Sequence, residues 1–356
     1  MAMYDALADL PLQIDAYTLE GRSRHIVAGE FEMDRLTTTI HLQGGGEEGL
    51  GEDVTYTPEL QQAQQDTGPV LPLTGTWTLD SFSRHLDGLD LFHGVDPVMP
   101  AFRNYRRWAF ESAAADLALR QAGRSLADVL GREPGPIAFV VSLRLGEPPS
   151  LEPVTRRLAA YPGTRFKLDS APSWNDGFLD SLAATGAVAS VDFKGAYKNT
   201  PVDVPTDPDL YRRVAETFPE AWLEDPDLTV PAADEALRPY RDRITWDAPI
   251  HGVADIEALP FLPRTINVKP SRIGTWKELL RTYEWCAERG IVSYGGGQSE
   301  LGVGRGQIQY LASIFHAAEP NDIAPSGYDW ADFPETGLPP SPLPPELEPT
   351  GFRRRS

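Results

Sequence analysis

Short apolar runs of strand length recur through the middle and the C-terminal part of the chain. Each is followed by a polar or Gly/Pro turn and then by a stretch with helical spacing, such as TWKELLRTYEWCAERG. In chain order the runs read IAFVVSL, RFKL, ASVDF, AWLE, ITWDA, TINVK and IVSYG. Strands that alternate with helices along a chain pair in parallel. The pattern therefore predicts a parallel α/β region from residue 136 to about residue 318.

A single charged residue interrupts most of these runs near its end. These residues are Lys167, Asp192, Glu224, Asp247 and Lys269, with separations of 25, 32, 23 and 22 positions. A barrel of eight strand and helix units has about 25 to 31 residues per unit, and its active site lies at the C-terminal ends of the strands. The spacing predicts one charged side chain per unit, all on one rim of a TIM-type barrel.

The stretch AWLEDP ends an apolar strand in two carboxylates, Glu224 and Asp225, and a proline. Side chains alternate along a strand, so only one of the two is expected to face the barrel interior. With Asp192 and Asp247, Glu224 would form a group of three carboxylates, which repel one another unless a cation binds them. An oxygen-only site with room for water and substrate suits Mg²⁺. The alternative use of these acids is as helix N-caps after the strands.

Lysines flank the acidic positions by one strand on each side. Lys167 and Lys269 would stand on opposite sides of the cation, where partial burial and the metal lower a lysine pKa toward that of a usable base. The alternative is that both lysines only neutralise the acids through salt bridges.

The N-terminal hundred residues have a different pattern. Two β-like runs, TTTIHLQ and EDVTYT, flank GGGEEGLG and predict a hairpin, and the following ELQQAQQDTGPVLPLTG predicts a mobile loop. The G-x-G-x-x-G at Gly44, Gly46 and Gly49 leads into a strand rather than a helix, which argues against a nucleotide site. From Asn104 to Leu130 the spacing of alanine and leucine predicts two packing helices.

Composition excludes several classes of partner. The net charge is −20, from 32 basic and 52 acidic residues, so phosphates of nucleic acids and anionic membranes would be repelled. No apolar run approaches the ~18 residues of a membrane span. A single cysteine, Cys286, excludes an intramolecular disulfide, and the N-terminus lacks a secretory pattern. We expect a cytoplasmic protein that binds a small molecule and forms a homo-oligomer.

The order lysine, Asp, Glu, Asp, lysine on successive strands, with WLEDP and NVKPSRIG, resembles the enolase superfamily. It is most similar to the subgroup of muconate-lactonizing enzymes and o-succinylbenzoate synthases. The hairpin segment TTTIHLQGGGEEGLGED resembles the capping domain of that family, and GGGQSELGVGR resembles its seventh-strand segment. The resemblance extends over nearly the whole chain.

The resemblance implies a modified (β/α)7β TIM-type barrel with an α+β capping domain built from the N-terminal region and the C-terminal tail. The implied domains are the cap (1–133), the barrel (134–325) and a C-terminal strap that returns to the cap and ends in disorder (326–356). The implied cap loops for substrate choice are residues 20–32 and 55–74. The eighth strand is not legible in the sequence.

The implied reaction is removal of the proton α to a carboxylate, through an enediolate, which leads to isomerisation, cycloisomerisation or elimination. Mg²⁺, with Mn²⁺ as a substitute, would be bound by Asp192, Glu224 and Asp247. Lys167 and Lys269 would be the two acid/base groups, as this superfamily uses a Lys or His base with one or two Mg²⁺ ions. The substrate would be a small carboxylic acid.

Other positions depart from the family pattern or lie near the site. Arg165 replaces the outer of two paired lysines, and Lys194 stands where Asn is common, which makes elimination with Lys194 as acid an alternative, as in acid-sugar dehydratases. Gln298, Glu300 and Arg144 are further candidates for contact with substrate. A barrel that keeps its metal site but only binds ligand is the alternative from a different class.

Overall fold

The computed structural model describes residues 2–28, 31–198, 200 and 203–355. The strands are β1 (Pro11–Ile14), β2 (Ala16–Ala28), β3 (Phe31–Gly44), β4 (Glu47–Asp53), β5 (Gly75–Thr78), β6 (Val140–Arg144), β7 (Arg165–Asp169), β8 (Val188–Asp192), β9 (Trp222–Glu224), β10 (Ile244–Thr245), β11 (Thr265–Val268) and β12 (Val292–Gly295). The helices are α1 (Asp5–Ala8), α2 (Pro58–Thr67), α3 (Leu79–Asp87), α4 (Ala101–Gln121), α5 (Leu126–Leu130), α6 (Glu152–Ala160), α7 (Asp176–Ala183), α8 (Pro208–Thr217), α9 (Pro231–Leu237), α10 (Val253–Glu257), α11 (Pro270–Ile273), α12 (Trp276–Glu288) and α13 (Val303–Phe315), with a 3-10 helix at Arg238–Arg243.

The cap contains an antiparallel sheet in the order β2-β3-β4, against which α4 packs. The glycines of GGGEEGLG explain both the tight turn and the close packing. Gly45 and Gly46 have φ of 59° and 82°, as the turn between β3 and β4 requires. A Cβ on Gly51 would lie 2.0 Å from the carbonyl oxygen of Ala109 in α4. These glycines therefore serve the turn and the helix contact, which agrees with the argument against a nucleotide site.

The predicted mobile loop after the hairpin was wrong for most of its length, because α2 forms there. Thr57 and Pro58 begin the helix, with proline in its first turn. Gln61 is buried, and its side-chain amide donates to the carbonyl oxygens of Asp53 (3.0 Å) and Thr55 (3.1 Å). Glutamines that suggested a solvated loop instead satisfy buried backbone groups.

All seven predicted strands of the second region form a parallel arrangement. The order is β10-β9-β8-β7-β6, with β11 and β12 as a parallel pair. The backbone N–H of Asn267 joins β11 to the chain after β10 by donating to the carbonyl of Trp246 (3.0 Å). The predicted fold class, a TIM-type barrel with an α+β cap, is confirmed.

Two residues occupy the eighth position of the barrel. The N–H of Asp322 donates to the carbonyl of Gly295 in β12 (2.8 Å), and the N–H of Val140 in β6 donates to the carbonyl of Asn321 (2.8 Å). So short a segment leaves no periodic pattern in the sequence.

The C-terminal residues contact the cap. Gly351 pairs with Ser125, and the Phe352 ring is fully buried between Trp276 and Tyr310. The buried carboxylate of Asp116 in α4 accepts from the Phe352 N–H (3.1 Å). The domain boundaries proposed from the sequence stay predictions. Among the described residues, no helix is long and apolar enough to cross a membrane.

Candidate metal and proton-transfer site

The barrel brings the predicted acids together at the C-terminal ends of its strands. Asp192 is the last residue of β8 and Glu224 the last of β9, and the two are in register with each other. Asp247 follows β10 by two residues, and Lys269 comes directly after β11. All four side chains are buried, so their charges act on one another with little screening by water.

The most compact group of ligand atoms consists of Asp192, Glu224 and Asp225, whose chosen carboxylate oxygens all lie within 4.8 Å of one another. The sequence prediction did not include Asp225, because it treated Glu224 and Asp225 as alternating residues of one strand. In the structure β9 ends at Glu224 and Asp225 has a φ of 48°, so strand alternation does not apply to it. Its carboxylate accepts from the backbone N–H groups of Asp247 (2.8 Å) and Ala248 (2.9 Å).

The carboxylate of Asp247 lies outside that compact group. It pairs with Lys269 (2.7 Å) and with Arg272 of α11, which the sequence prediction did not assign to the site. Burial raises the pKa of Asp247, but attraction to Arg272 and Lys269 outweighs burial and lowers it overall. A Cβ on Gly296 would lie 2.5 Å from Cε of Lys269, so this glycine provides the space for the lysine side chain. Asp247 as a metal ligand stays a prediction.

Lys167 lies inside the barrel among carboxylates. Its ammonium pairs with Glu224 and lies 3.5 Å from Asp192 and 3.4 Å from Asp322. Burial lowers the pKa of Lys167, but attraction to these acids outweighs burial and raises it well above the usual value. The second oxygen of Glu224 accepts from the Tyr294 hydroxyl (2.6 Å). Burial, with repulsion from neighbouring acids, raises the pKa of Glu224 to about 8 despite Lys167.

Lys194 joins a second cluster on the β6, β7 and β8 side of the rim. Its ammonium pairs with Asp192 and lies 3.0 Å from Oδ1 of Asp169, and Nε of Arg144 lies 2.8 Å from Oδ2 of Asp169. Lys194 has a φ of 55°, and its backbone N–H donates to Asp192 (2.9 Å). The sequence prediction included Lys194 and Arg144 but missed Asp169, which ends the strand two residues beyond Lys167.

Arg165 and Gln298, two further predicted site residues, lie in separate parts of the barrel. Arg165 is the first residue of β7 and is exposed, and Nη2 donates to the carbonyl of Val188 (3.2 Å) at the start of β8. It lies at the N-terminal end of the barrel, so its assignment to the site is withdrawn. Gln298 accepts from Tyr56 and donates to Tyr105, both at 3.0 Å.

Glu300 faces the contact between the barrel and the cap. Its carboxylate accepts from the backbone N–H of Gln298 (2.6 Å) and pairs with Arg305 (3.1 Å) in α13. The neighbouring Glu52 of β4 accepts from the N–H groups before and within the first turn of the same helix, including Gly304 (2.8 Å). Glu52 therefore joins the cap to the start of α13, whereas the hydrogen bond and ion pair of Glu300 are both with barrel residues.

The charges of the site fit a divalent cation. Six carboxylates meet four cationic side chains with little exposure, and Arg144, with a side chain 34% exposed, lies at the edge. The carboxylates are Asp169, Asp192, Glu224, Asp225, Asp247 and Asp322, and the cations are Lys167, Lys194, Lys269 and Arg272. Excess buried negative charge is costly unless it is compensated, and an all-oxygen donor set suits Mg²⁺.

Comparison with known proteins agrees with this geometry. Residues 5–129 match the N-terminal domain, and residues 133–330 the C-terminal domain, of a protein family described as a domain of unknown function, DUF8230. The chain belongs to this family. It is 26% identical over 314 residues to N-succinylamino acid racemase of Thermus thermophilus, with 85% of this chain and 81% of the racemase covered. To o-succinylbenzoate synthase of Geobacillus stearothermophilus it is 28% identical over 314 residues, with 85% and 80% covered.

Several solved structures have the same fold as this chain. An enolase superfamily member from Listeria innocua aligns with a TM-score of 0.68 at 21% identity, covering 90% of this chain and 88% of that one. A dipeptide epimerase from Methylococcus capsulatus, complexed with Mg and a dipeptide, aligns with a TM-score of 0.64 at 20% identity, covering 90% and 92%. The resemblance to the enolase superfamily that the sequence predicted is confirmed by these relatives and by the shared fold, and the named relatives are enzymes.

Proposed function

We propose that the protein is a Mg²⁺-dependent enzyme that removes the proton α to the carboxylate of a small acid. One observation carries the proposal: buried lysines pair with buried acids on both sides of the site, Lys167 with Glu224 on one side and Lys269 with Asp247 on the other. Asp192, Glu224 and Asp225 would hold the cation, and Asp247 lies beside them. The bound cation would neutralise these acids and stabilise the negative charge that develops on the substrate carboxylate.

The residues of the chain supply the proton transfers. Lys269 approaches from β11, and Lys167 and Lys194 approach from β7 and the end of β8. The C–H bond breaks, its proton passes to the lone pair of a lysine in its neutral amine form, and its electron pair stays on the substrate. A lysine on the other face can then return a proton to the same carbon, or a neighbouring acid can protonate a leaving group. Burial of the site excludes water, which strengthens these interactions.

The names of the relatives suggest which acids to test. N-Succinylamino acid racemase and o-succinylbenzoate synthase both name succinyl compounds, and we propose that this chain isomerises or dehydrates acids of this kind. A second candidate is elimination with Lys194 as the acid, as in acid-sugar dehydratases. The contact of the Lys194 ammonium with Asp192 at the rim favours testing this elimination as well.

The proposal is tested by product analysis with purified protein. The substrates are the two enantiomers of N-succinylphenylalanine, a dipeptide and a panel of acid sugars, with Mg²⁺ or with EDTA. Chiral chromatography detects racemisation, and mass loss of water detects elimination. We expect turnover only with Mg²⁺, and loss of turnover in Asp192→Asn but not in the exposed control Asp180→Asn. Mg²⁺ binding without turnover of any acid would support the ligand-binding barrel instead.

A further inference from the structure

A cavity of about 390 Å³ lies at the N-terminal ends of the barrel strands, opposite the predicted metal site. It opens beside Val292, the first residue of β12, and its apolar walls include Ala287, Ile291 and Phe315. Ligand pockets in proteins typically have volumes of about 300–1,000 Å³, apolar walls and a few polar groups that orient the ligand. The size and the walls of this cavity therefore suit a small molecule.

Arg132 supplies a positive charge to the cavity. After α5, Gly131 adopts a left-handed conformation, and the N–H of Arg132 donates to the carbonyl oxygen of Ala127 (2.9 Å), which fixes the backbone here. The guanidinium lies over the Phe315 ring, 5.0 Å from its centroid, and Nη2 contacts the sulfur of Met3 (3.5 Å). Within the ranges that the structure describes, no carboxylate pairs with it. Its N–H groups can therefore bind the carboxylate of a ligand.

Glu319 supplies a negative charge to the same cavity. It lies in the turn after α13, where its N–H donates to the carbonyl oxygen of His316 (3.2 Å) and its carbonyl accepts from the N–H of Asn321 (2.8 Å). No cationic side chain pairs with its carboxylate in the part of the chain that the structure describes. Burial raises the pKa of this carboxyl group. The cavity thus has one basic and one acidic group that no salt bridge neutralises.

The wall between these charges is held in place by contacts within the protein. The rings of Tyr283 and Phe315 stack with centroids 4.0 Å apart and an angle of 9° between their planes. The Tyr283 hydroxyl lies 3.1 Å from Nε2 of His316, and Nδ1 of this histidine lies 2.6 Å from Oδ1 of Asn321. Asn321 is buried and donates to the carbonyl oxygen of Ala138 (2.9 Å). A wall that is already ordered reduces the entropic cost of binding.

We infer that this cavity is a second small-molecule site, which binds a free α-amino acid with an aromatic side chain. Arg132 would bind the carboxylate of the amino acid and Glu319 its ammonium group, while the aromatic ring would lie against Phe315 and Ile291. A ligand with only one charge would leave one of the two protein groups uncompensated. The site is separate from the metal site, and the inference does not depend on the proposed function.

Isothermal titration calorimetry with L-phenylalanine tests the inference. Three related compounds each lack one feature: N-acetylphenylalanine lacks the ammonium group, phenethylamine lacks the carboxylate, and glycine lacks the aromatic ring. We expect L-phenylalanine to bind with one site per chain, and each of the other three to bind at least about 10-fold more weakly. The Kd should be the same with Mg²⁺ and with EDTA, because the cavity does not include the metal site.

Two substitutions assign the charges of the ligand to their partners. Arg132→Gln should bind L-phenylalanine no better than phenethylamine, because the partner of the carboxylate is lost. Glu319→Gln should bind L-phenylalanine no better than N-acetylphenylalanine, because the partner of the ammonium group is lost. Arg238→Gln and Glu235→Gln, at exposed positions outside the cavity, are the matched controls and should keep the wild-type Kd.

Several results would overturn the inference. L-Phenylalanine that does not bind, or that binds only with Mg²⁺, would show that the cavity is not its site. Glycine that binds as tightly as L-phenylalanine would contradict the role of the apolar walls. If Arg132→Gln and Glu319→Gln keep the wild-type order of the four compounds, the two charges do not hold the ligand. None of these titrations requires turnover, so a failure of the proposed function is measured separately.

Discussion

Removal of the Lys167 ammonium should destabilise the metal-free protein far more than the metal-bound protein. Lys167→Met keeps much of the side-chain volume but leaves Glu224, Asp192 and Asp322 without their shared cation. Loss of one partner of a buried ion pair costs about 3–5 kcal/mol, because the remaining charge stays buried and unpaired. We expect a loss of this size in EDTA.

Mg²⁺ should offset a large part of that loss. A ligand at about 100 times its Kd stabilises the folded state by ~2.7 kcal/mol, and the variant should bind Mg²⁺ more tightly than the wild type because one competing cation is absent.

The stability of the variant should depend on pH, and Glu224 gives the direction. Lys167 lowers the pKa of Glu224, so its loss raises that pKa further, above about 8. A carboxyl group whose pKa is higher in the folded than in the unfolded state destabilises the folded protein as the pH rises above the unfolded pKa. The variant should therefore be more impaired at pH 9 than at pH 6.

Urea denaturation followed by tryptophan fluorescence, with EDTA or Mg²⁺, measures these effects. Lys277→Met, on the exposed face of α12, is the matched control and should stay within about 0.5 kcal/mol of the wild type. A loss below about 1 kcal/mol in EDTA would refute the view that Lys167 compensates the buried acids. An equal loss with EDTA and with saturating Mg²⁺ would refute the view that lysine and metal neutralise the same group.

Three further predictions concern the fold. Burial lowers the pKa of His316 to about 4, so His316 supports stability above its unfolded pKa of 6.5. The stability advantage of wild type over His316→Gln should fall by about 3 kcal/mol between pH 7 and pH 4; an advantage independent of pH in urea titrations would contradict a neutral buried imidazole. Phe352→Ala should cost about 3–5 kcal/mol, against little for the exposed Leu262→Ala, and equal melting temperatures would show that the C-terminal residues do not support the cap. Gly51→Ala should cost about 1–3 kcal/mol of stability, because the added Cβ would contact α4. Gly88→Ala should be tolerated, because the nearest atom to its Cβ would be 3.6 Å away. Equal chemical stability of the two variants would contradict the close approach of Gly51 to α4.

The strand ends were predictable because barrel geometry repeats along the chain. Lys167, Asp192, Glu224, Asp247 and Lys269 recur about once per strand and helix unit, and a parallel barrel converts that period into a common rim. The period does not give depth, however. Lys167 and Asp169 face the same way in β7, and only the register with β8 distinguishes the rim residue from the deeper one.

Three other features were hidden from sequence patterns for separate physical reasons. Asp225 enters the acidic group through a positive φ, and that conformation follows from the chain turning after β9 rather than from a strand pattern. Asp322 closes the barrel within a segment too short to show alternation. The α2 helix contains glutamines, which suggested a loop, but Gln61 is buried through hydrogen bonds to the backbone that no local pattern specifies.

The measurement that tests the central claim most directly is α-hydrogen exchange by the wild-type protein in D₂O, with Mg²⁺ and with EDTA. The substrate is a succinylated amino acid, and ¹H NMR follows the α-proton signal. If buried acids hold a cation between lysines that face the substrate, the signal should disappear with Mg²⁺, persist with EDTA, and disappear again when Mg²⁺ is restored. Exchange that is equally fast in EDTA, or absent under both conditions while Mg²⁺ raises the melting temperature, would contradict the account.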